Sequence, residues 1–177
     1  MKQSILFSIL FCALTQSAFP QTYLHCGRLL TMTDERVQTE MTIVVEGDKI
    51  VRIEKGYLPA PKGAQQVDLK SKTVLPGLID CHVHVEWEIS RNSYLERYTL
   101  NDADYALRAT AYLKRTLDAG FTTVRDLGGR GANIALRNAI NRNWIPGPRI
   151  LTAGRIISIT GGHGDITTGA RWDLFDP

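Results

Sequence analysis

The pattern of apolar and polar positions changes near residue 72, and the part before it is typical of short strands. Glu46-Gly47-Asp48 lies between two β-rich runs and is a compact hairpin signal. From this pattern we expect residues 22–72 to form part of a small β-sandwich domain. The predicted strands cover residues 23–30, 41–45, 49–54 and 67–69.

From residue 73 onward, strand and helix patterns alternate. Residues 102–119 contain good helix formers with apolar side chains at helical spacing, Asn101 or Asp102 as a capping residue, and Gly120 just past the end. Strand, helix, strand, helix, strand implies parallel βαβ units, so the pattern predicts an α/β fold for residues 73–177. The further elements predicted are strands at 121–125 and 149–153 and a helix at 132–142.

The first strand of this series, in residues 74–85, ends in two histidines. Leu78 and Ile79 follow a Pro-Gly turn and are predicted to be buried. Because alternate side chains of a strand point the same way, His82 and His84 share one face and could bind one metal ion. A catalytic site would need further protein ligands and an open position. The alternative is that both are strand-end side chains satisfied by backbone groups or water.

Three sequence motifs lie between residues 76 and 165. Residues 76–84 meet every fixed position of the pattern P-G-x-I-D-x-H-x-H, which resembles the first barrel strand of the amidohydrolase superfamily. G-F-T-T-V-R-D-L-G-G at 120–129 and G-G-H-G-D at 161–165 are similar to its imidazolonepropionase-like branch, which includes metal-dependent Xaa-Pro dipeptidases. The resemblance implies a partial TIM (β/α)8 barrel, its first three βα units, in residues 73–177. A complete barrel needs about 250 residues, so we expect an N-terminal fragment whose sandwich lacks its other half.

The resemblance also implies an activity. The complete protein would be a metal-dependent hydrolase that cleaves amide or peptide C–N bonds, as dipeptidases do, with water activated by one or two Zn²⁺ ions. His82 and His84 would be metal ligands. The other ligands and the proton shuttle would come from strands four to eight, so no catalytic residue is expected within this sequence. Two alternatives stay open: an imidazolone or other cyclic-amide hydrolase, and a non-catalytic binding protein on a degenerate barrel.

Further candidate residues lie near the ends of the predicted barrel strands, where such barrels gather their chemistry. His163, exposed between glycines, is predicted to hydrogen-bond substrate. Arg125 either contacts substrate or pairs with Asp126 or neighbouring backbone. Asp80 shares the face of the histidines and is expected to support them as a carboxylate behind the metal ligands.

Four other side chains carry weaker expectations. Glu86 and Glu88 have the parity of the histidines but lie beyond the strand end, so we expect both to be solvated. Cys26 and Cys81 are far apart in sequence. Export would permit a disulfide between them, but we favour two free, buried thiols.

The N-terminal segment 1–21 resembles a secretory signal. Lys2 precedes ten mostly apolar residues at 5–14, a run too short to span a membrane, and small or turn-forming residues follow. A buried N-terminal helix is the alternative. We expect a secreted or periplasmic protein with no membrane contact after signal removal.

Composition adds limits on the partners. The chain has 177 residues, 44% of them apolar, and a net charge of +3 that is dispersed along the sequence. Such a charge distribution indicates no nucleic-acid-binding surface. The expected partner is a small-molecule substrate, a dipeptide or cyclic amide, with a homo-oligomer possible.

Overall fold

The computed structural model of the chain describes residues 21–165, which form two compact units that divide between Pro76 and Gly77. The predicted signal segment lies outside the described residues, apart from Gln21. Within residues 21–165, no helix is long and apolar enough to cross a membrane.

The first unit is built on one mixed four-stranded sheet. Its order is β3-β2-β1-β4, with β1 antiparallel to β2, β2 antiparallel to β3, and β1 parallel to β4. All four predicted strands are present, and the last is longer than expected. The second layer of the predicted sandwich is not among residues 21–76. The strands are β1 (Gln21–Leu29), β2 (Gln38–Glu46), β3 (Lys49–Lys55) and β4 (Gln65–Val74).

The core of this unit lies on the central strands β1 and β2. Cys26 lies opposite Met41 on β2 and Leu69 on β4, and it is fully buried as a free thiol. Burial raises the pKa of this thiol, because a thiolate loses its hydration there. Thr42 is also fully buried; its hydroxyl donates to the Gly56 carbonyl at 2.7 Å. The central strands are therefore buried even at positions that carry a polar side chain.

The second unit has the expected α/β character. Its parallel sheet has the order β5-β6-β7, and Asp80 pairs with Val124, which pairs with Ile150. Helix α1 was not predicted from the sequence. The elements in chain order are β5 (Leu78–Val83), α1 (Ser93–Thr99), α2 (Asp102–Asp118), β6 (Phe121–Asp126), α3 (Ala132–Asn141) and β7 (Arg149–Thr152).

Helix α2 begins with the cap expected from the sequence. The Asn101 side chain accepts from the backbone amides of Ala103 and Asp104, and the Asp104 carboxylate accepts from the Asn101 amide at 2.9 Å. Tyr105, Ala109 and Leu113, spaced by four residues, form its buried face. Burying one large apolar side chain contributes about 1.5–3 kcal/mol, so this stripe holds α2 on the sheet. The core also includes Val85, Val124, Leu136 and Ile150.

Three predictions about burial on β5 are wrong. Leu78 and Ile79 are 41% and 66% exposed, and Cys81 is exposed rather than buried. The reason lies in the position of the strand. β5 is an edge strand of the described sheet, and α2 and α3 pack against β6 and β7 instead.

Candidate functional site

The two histidines at the end of β5 lie side by side. β5 ends at Val83, so His82 lies within the strand and His84 directly after it. Their ring centroids are 5.6 Å apart, with the rings edge to face at 76°. The pair that was predicted from strand parity is therefore together in space.

The ring of His84 is held from two sides. Its Nδ1 lies 2.7 Å from the carbonyl oxygen of Gly128, and the ring stacks on Trp87 with centroids 5.3 Å apart. A carbonyl oxygen only accepts, so in the neutral imidazole Nδ1 carries the proton and Nε2 keeps its lone pair. Metal-binding histidines are oriented in this way in proteins, so the donor set fits a divalent ion.

The pair by itself does not make a metal centre. Within the described part of the chain, no group of three or more His, Cys, Asp or Glu side chains is placed to hold a metal ion. Catalytic zinc sites use about three protein ligands. The two imidazoles fit such a site, but the remaining ligands are not among residues 21–165.

A cavity of about 690 Å³ opens over the histidine pair. His163, in the loop that follows β7, lies on its wall together with His82 and His84. A volume of this order is typical of a site for a small molecule. The structure thus gathers three histidines from two separate segments of the chain, the end of β5 and the loop after β7, around one space. Other lining residues include Trp87, Glu96, Tyr105, Leu127 and Arg130.

Asp80 and Arg125 contact the backbone of β5. The Asp80 carboxylate accepts from the His82 amide at 2.9 Å. Arg125 Nε donates to the Cys81 carbonyl at 2.8 Å, and the described cavity wall does not include Arg125. Both contacts stabilise the end of the strand that carries His82. A contact between Arg125 and substrate stays a prediction.

Glu86 corrects one expectation, because it is buried and not solvated. Its side chain is 1% exposed, and its carboxylate accepts from the amides of Arg130 at 2.7 Å, Gly131 at 3.1 Å and Asn133 at 2.8 Å. Gly131 is the N-cap of α3 and has no side chain to cap it. Glu86 therefore serves as the cap of this helix from a distant loop. Glu88 is half exposed and pairs with a surface arginine.

Asp126, at the end of β6, is a second buried carboxylate, which the sequence suggested only as a partner for Arg125. Oδ2 accepts from the Val85 amide at 2.8 Å, and Oδ1 accepts from the Gly128 amide at 2.8 Å. Asn133 Nδ2 donates to Oδ1 at 3.0 Å and to the Gly154 carbonyl at 2.8 Å. The sequence offered one indication of this burial. Asp126 lies two residues after the buried Val124 in the same strand, so both side chains point to the same face.

The charged groups around the cavity are largely paired. Arg130 Nε lies 2.9 Å from the Asp102 carboxylate, and its guanidinium lies 5.0 Å from the Tyr105 ring centroid. Glu96 pairs with Arg108 at 3.2 Å, and the hydrogen bond to Glu96 raises the pKa of the Arg108 guanidinium. The Glu96–Arg108 pair connects α1 to α2, and the Arg130–Asp102 pair connects the loop before α3 to α2.

Comparisons with known proteins identify a family and several relatives. Residues 73–173 match the model of the amidohydrolase family. Ochratoxinase from Aspergillus niger is 31% identical over 82% of this chain and 30% of its own length. Imidazolonepropionase from Yersinia pestis is 33% identical over 62% of this chain and 35% of its own length. A crystal structure of a Xaa-Pro dipeptidase with bound methionine is similar at a TM-score of 0.80 and 38% identity, over 88% of this chain and 38% of that one. The chain thus spans 30–35% of the length of these curated relatives.

Proposed function

The chain belongs to the amidohydrolase family, and on that basis we propose that the full-length protein is a metal-dependent hydrolase that cleaves the C–N bond of dipeptides. The observation that carries the proposal is the paired imidazoles of His82 and His84, with His84 Nδ1 bonded to the Gly128 carbonyl. That arrangement leaves the lone pair of His84 Nε2 free to coordinate a metal ion. The nearby cavity has room for a small substrate.

His82 and His84 would hold a divalent ion. We propose that this ion is zinc and that the full-length protein binds one or two such ions. When bound, such an ion polarises a carbonyl group and lowers the pKa of water. The chain's own residues then have separate tasks. The Gly128 carbonyl holds the proton of His84 on Nδ1, and His163 is placed to hydrogen-bond a substrate in the cavity.

A dipeptide is the substrate class that the similarities favour. The Xaa-Pro dipeptidase structure matches 88% of the chain with a TM-score of 0.80. The similarity to imidazolonepropionase supports a second candidate, hydrolysis of a cyclic amide. Both reactions break a C–N bond beside a carbonyl, so the same metal ligands would serve either one.

We further propose the architecture and location of the full-length protein. Residues 73–177 would be the first three βα units of a TIM barrel, and residues 22–72 part of a sandwich domain. The exposure of Leu78 and Ile79 on the edge strand β5 supports the barrel, because a further strand paired with that edge and the barrel elements on the two faces of the sheet would cover both side chains. Residues 1–21 would be a signal peptide, so that the protein is secreted or periplasmic.

The proposal is tested by changing both His82 and His84 to Ala in the full-length protein. We expect bound zinc and dipeptide hydrolysis to be lost together, because the histidines would be direct ligands. His163→Ala is the matched control: zinc should stay bound while KM rises. Elemental analysis and assays with Xaa-Pro dipeptides and a cyclic amide provide the measurements.

Unchanged zinc content in the double variant would show that the histidines are not ligands. Hydrolysis of the cyclic amide alone would favour the second candidate.

A further inference from the structure

Asp126 joins two segments of chain that meet at His84. Its side chain is fully buried at the end of β6, where an ionised carboxylate persists only if hydrogen bonds replace its hydration. Its two oxygens bond different segments. Oδ2 accepts from the amide of Val85, the residue after His84, and Oδ1 accepts from the amide of Gly128.

Gly128 connects this carboxylate to the imidazole. Its N–H donates to Asp126, and its carbonyl accepts from Nδ1 of His84 at 2.7 Å. The residue has φ of +135°, and a Cβ there would lie 2.7 Å from Cα of Ile156, so only glycine fits. Gly128, whose carbonyl orients the His84 ring, is therefore held by its hydrogen bond to Asp126 and by its close packing against Ile156.

Asn133, on α3, holds the carboxylate in turn. Its Nδ2 donates both to Asp126 Oδ1 and to the Gly154 carbonyl. The network links the segments after β5, β6 and β7 through two side chains, Asp126 and Asn133, that are both fully buried.

We propose that Asp126 is a positioning residue for His84. Through the Val85 amide, Asp126 fixes the backbone next to His84, and through Gly128 it fixes the orientation of the His84 ring. This inference rests on the proposed function, in which His84 binds a metal ion. Groups that hydrogen-bond a metal ligand directly typically change metal affinity by about 10- to 100-fold when they are removed. Asp126 acts on His84 one step further out, through Gly128 and Val85.

Asp126→Asn in the full-length protein tests this role. The amide keeps the shape of the carboxylate but has one accepting oxygen, and Asn133 together with Gly128 favours keeping that oxygen at Oδ1. Its NH2 group would then face the Val85 amide. Because both groups are hydrogen-bond donors, the segment that carries His84 would shift. We expect zinc to bind about 10-fold more weakly in competition with a chelator, the lower end of the range for direct partners, because Asp126 acts through Gly128.

A second measurement reports on His84 without metal. Nitrogen-15 NMR of the histidine rings in the zinc-free protein should show His84 as a single Nδ1–H tautomer in the wild type and as a mixture in Asp126→Asn. Glu86→Gln is the matched control, since Glu86 is an equally buried carboxylate that holds α3 rather than Gly128. The control should keep the wild-type tautomer and zinc affinity.

Two results overturn the proposal: an unchanged tautomer and zinc affinity in Asp126→Asn, or equal changes in Glu86→Gln. If Asp126→Asn does not fold, the wild type decides, because a His84 protonated on Nε2 or present as two tautomers contradicts the role. Failure of the proposed function is separate, since it would appear as zinc retained after both histidines are replaced.

Discussion

Glu86→Gln tests whether one buried carboxylate holds the start of α3. The substitution keeps the size and shape of the side chain and replaces one accepting oxygen by a donor. Oε1 accepts from Gly131 and Asn133, and Oε2 accepts from Arg130. The amide oxygen can serve the first two, and the NH2 group then faces the Arg130 amide.

The expected cost follows from these contacts. Losing a hydrogen bond to a charged group costs about 1.5–3 kcal/mol. Loss of the negative charge beside the positive end of the α3 dipole adds about 0.3–1 kcal/mol. The variant should therefore unfold with a free energy about 2–4 kcal/mol lower than the wild type.

Urea denaturation of the full-length protein, followed by tryptophan fluorescence, measures this difference. Glu88→Gln is the matched control, because Glu88 lies two residues away on the surface and its exposed ion pair is worth about 0–1 kcal/mol. Equal stabilities of the two variants would refute the reasoning that Glu86 caps α3.

Three further predictions concern the rest of the chain. N-terminal sequencing of protein from the producing cell should find a mature start between residues 18 and 22, and an intact Met1 on a soluble cytosolic product would contradict the signal peptide. Cys26 should resist alkylation at pH 8 until the protein is denatured, since burial both shields the thiol and raises its pKa; rapid labelling of native protein, mapped by mass spectrometry, would argue against this. The 177-residue chain alone should melt broadly and hydrolyse neither dipeptides nor cyclic amides with added zinc, because Leu78 and Ile79 are left exposed. A sharp transition together with turnover would count against that expectation.

Much of the second unit could be predicted from local patterns. The helix-forming run that starts after Asn101 corresponds to α2 within a residue at its end, because its cap and its apolar spacing lie in one short stretch. The pairing of His82 and His84 could also be predicted, since strand parity is a property of neighbouring residues. Helix α1 was missed.

The support of the site could not be predicted in the same way, because it depends on segments that are distant in sequence. Glu86 has the same strand parity as the histidines, yet it is buried because its carboxylate meets the uncapped start of α3, which begins 46 residues later at Ala132. Asp126 is likewise explained only by the amides of Val85 and Gly128. Sequence by itself determined most of the helices and strands, though not α1, and the placement of the two histidines together. The tertiary structure decided which charges are buried, because a carboxylate leaves water only where folding supplies donors from other segments.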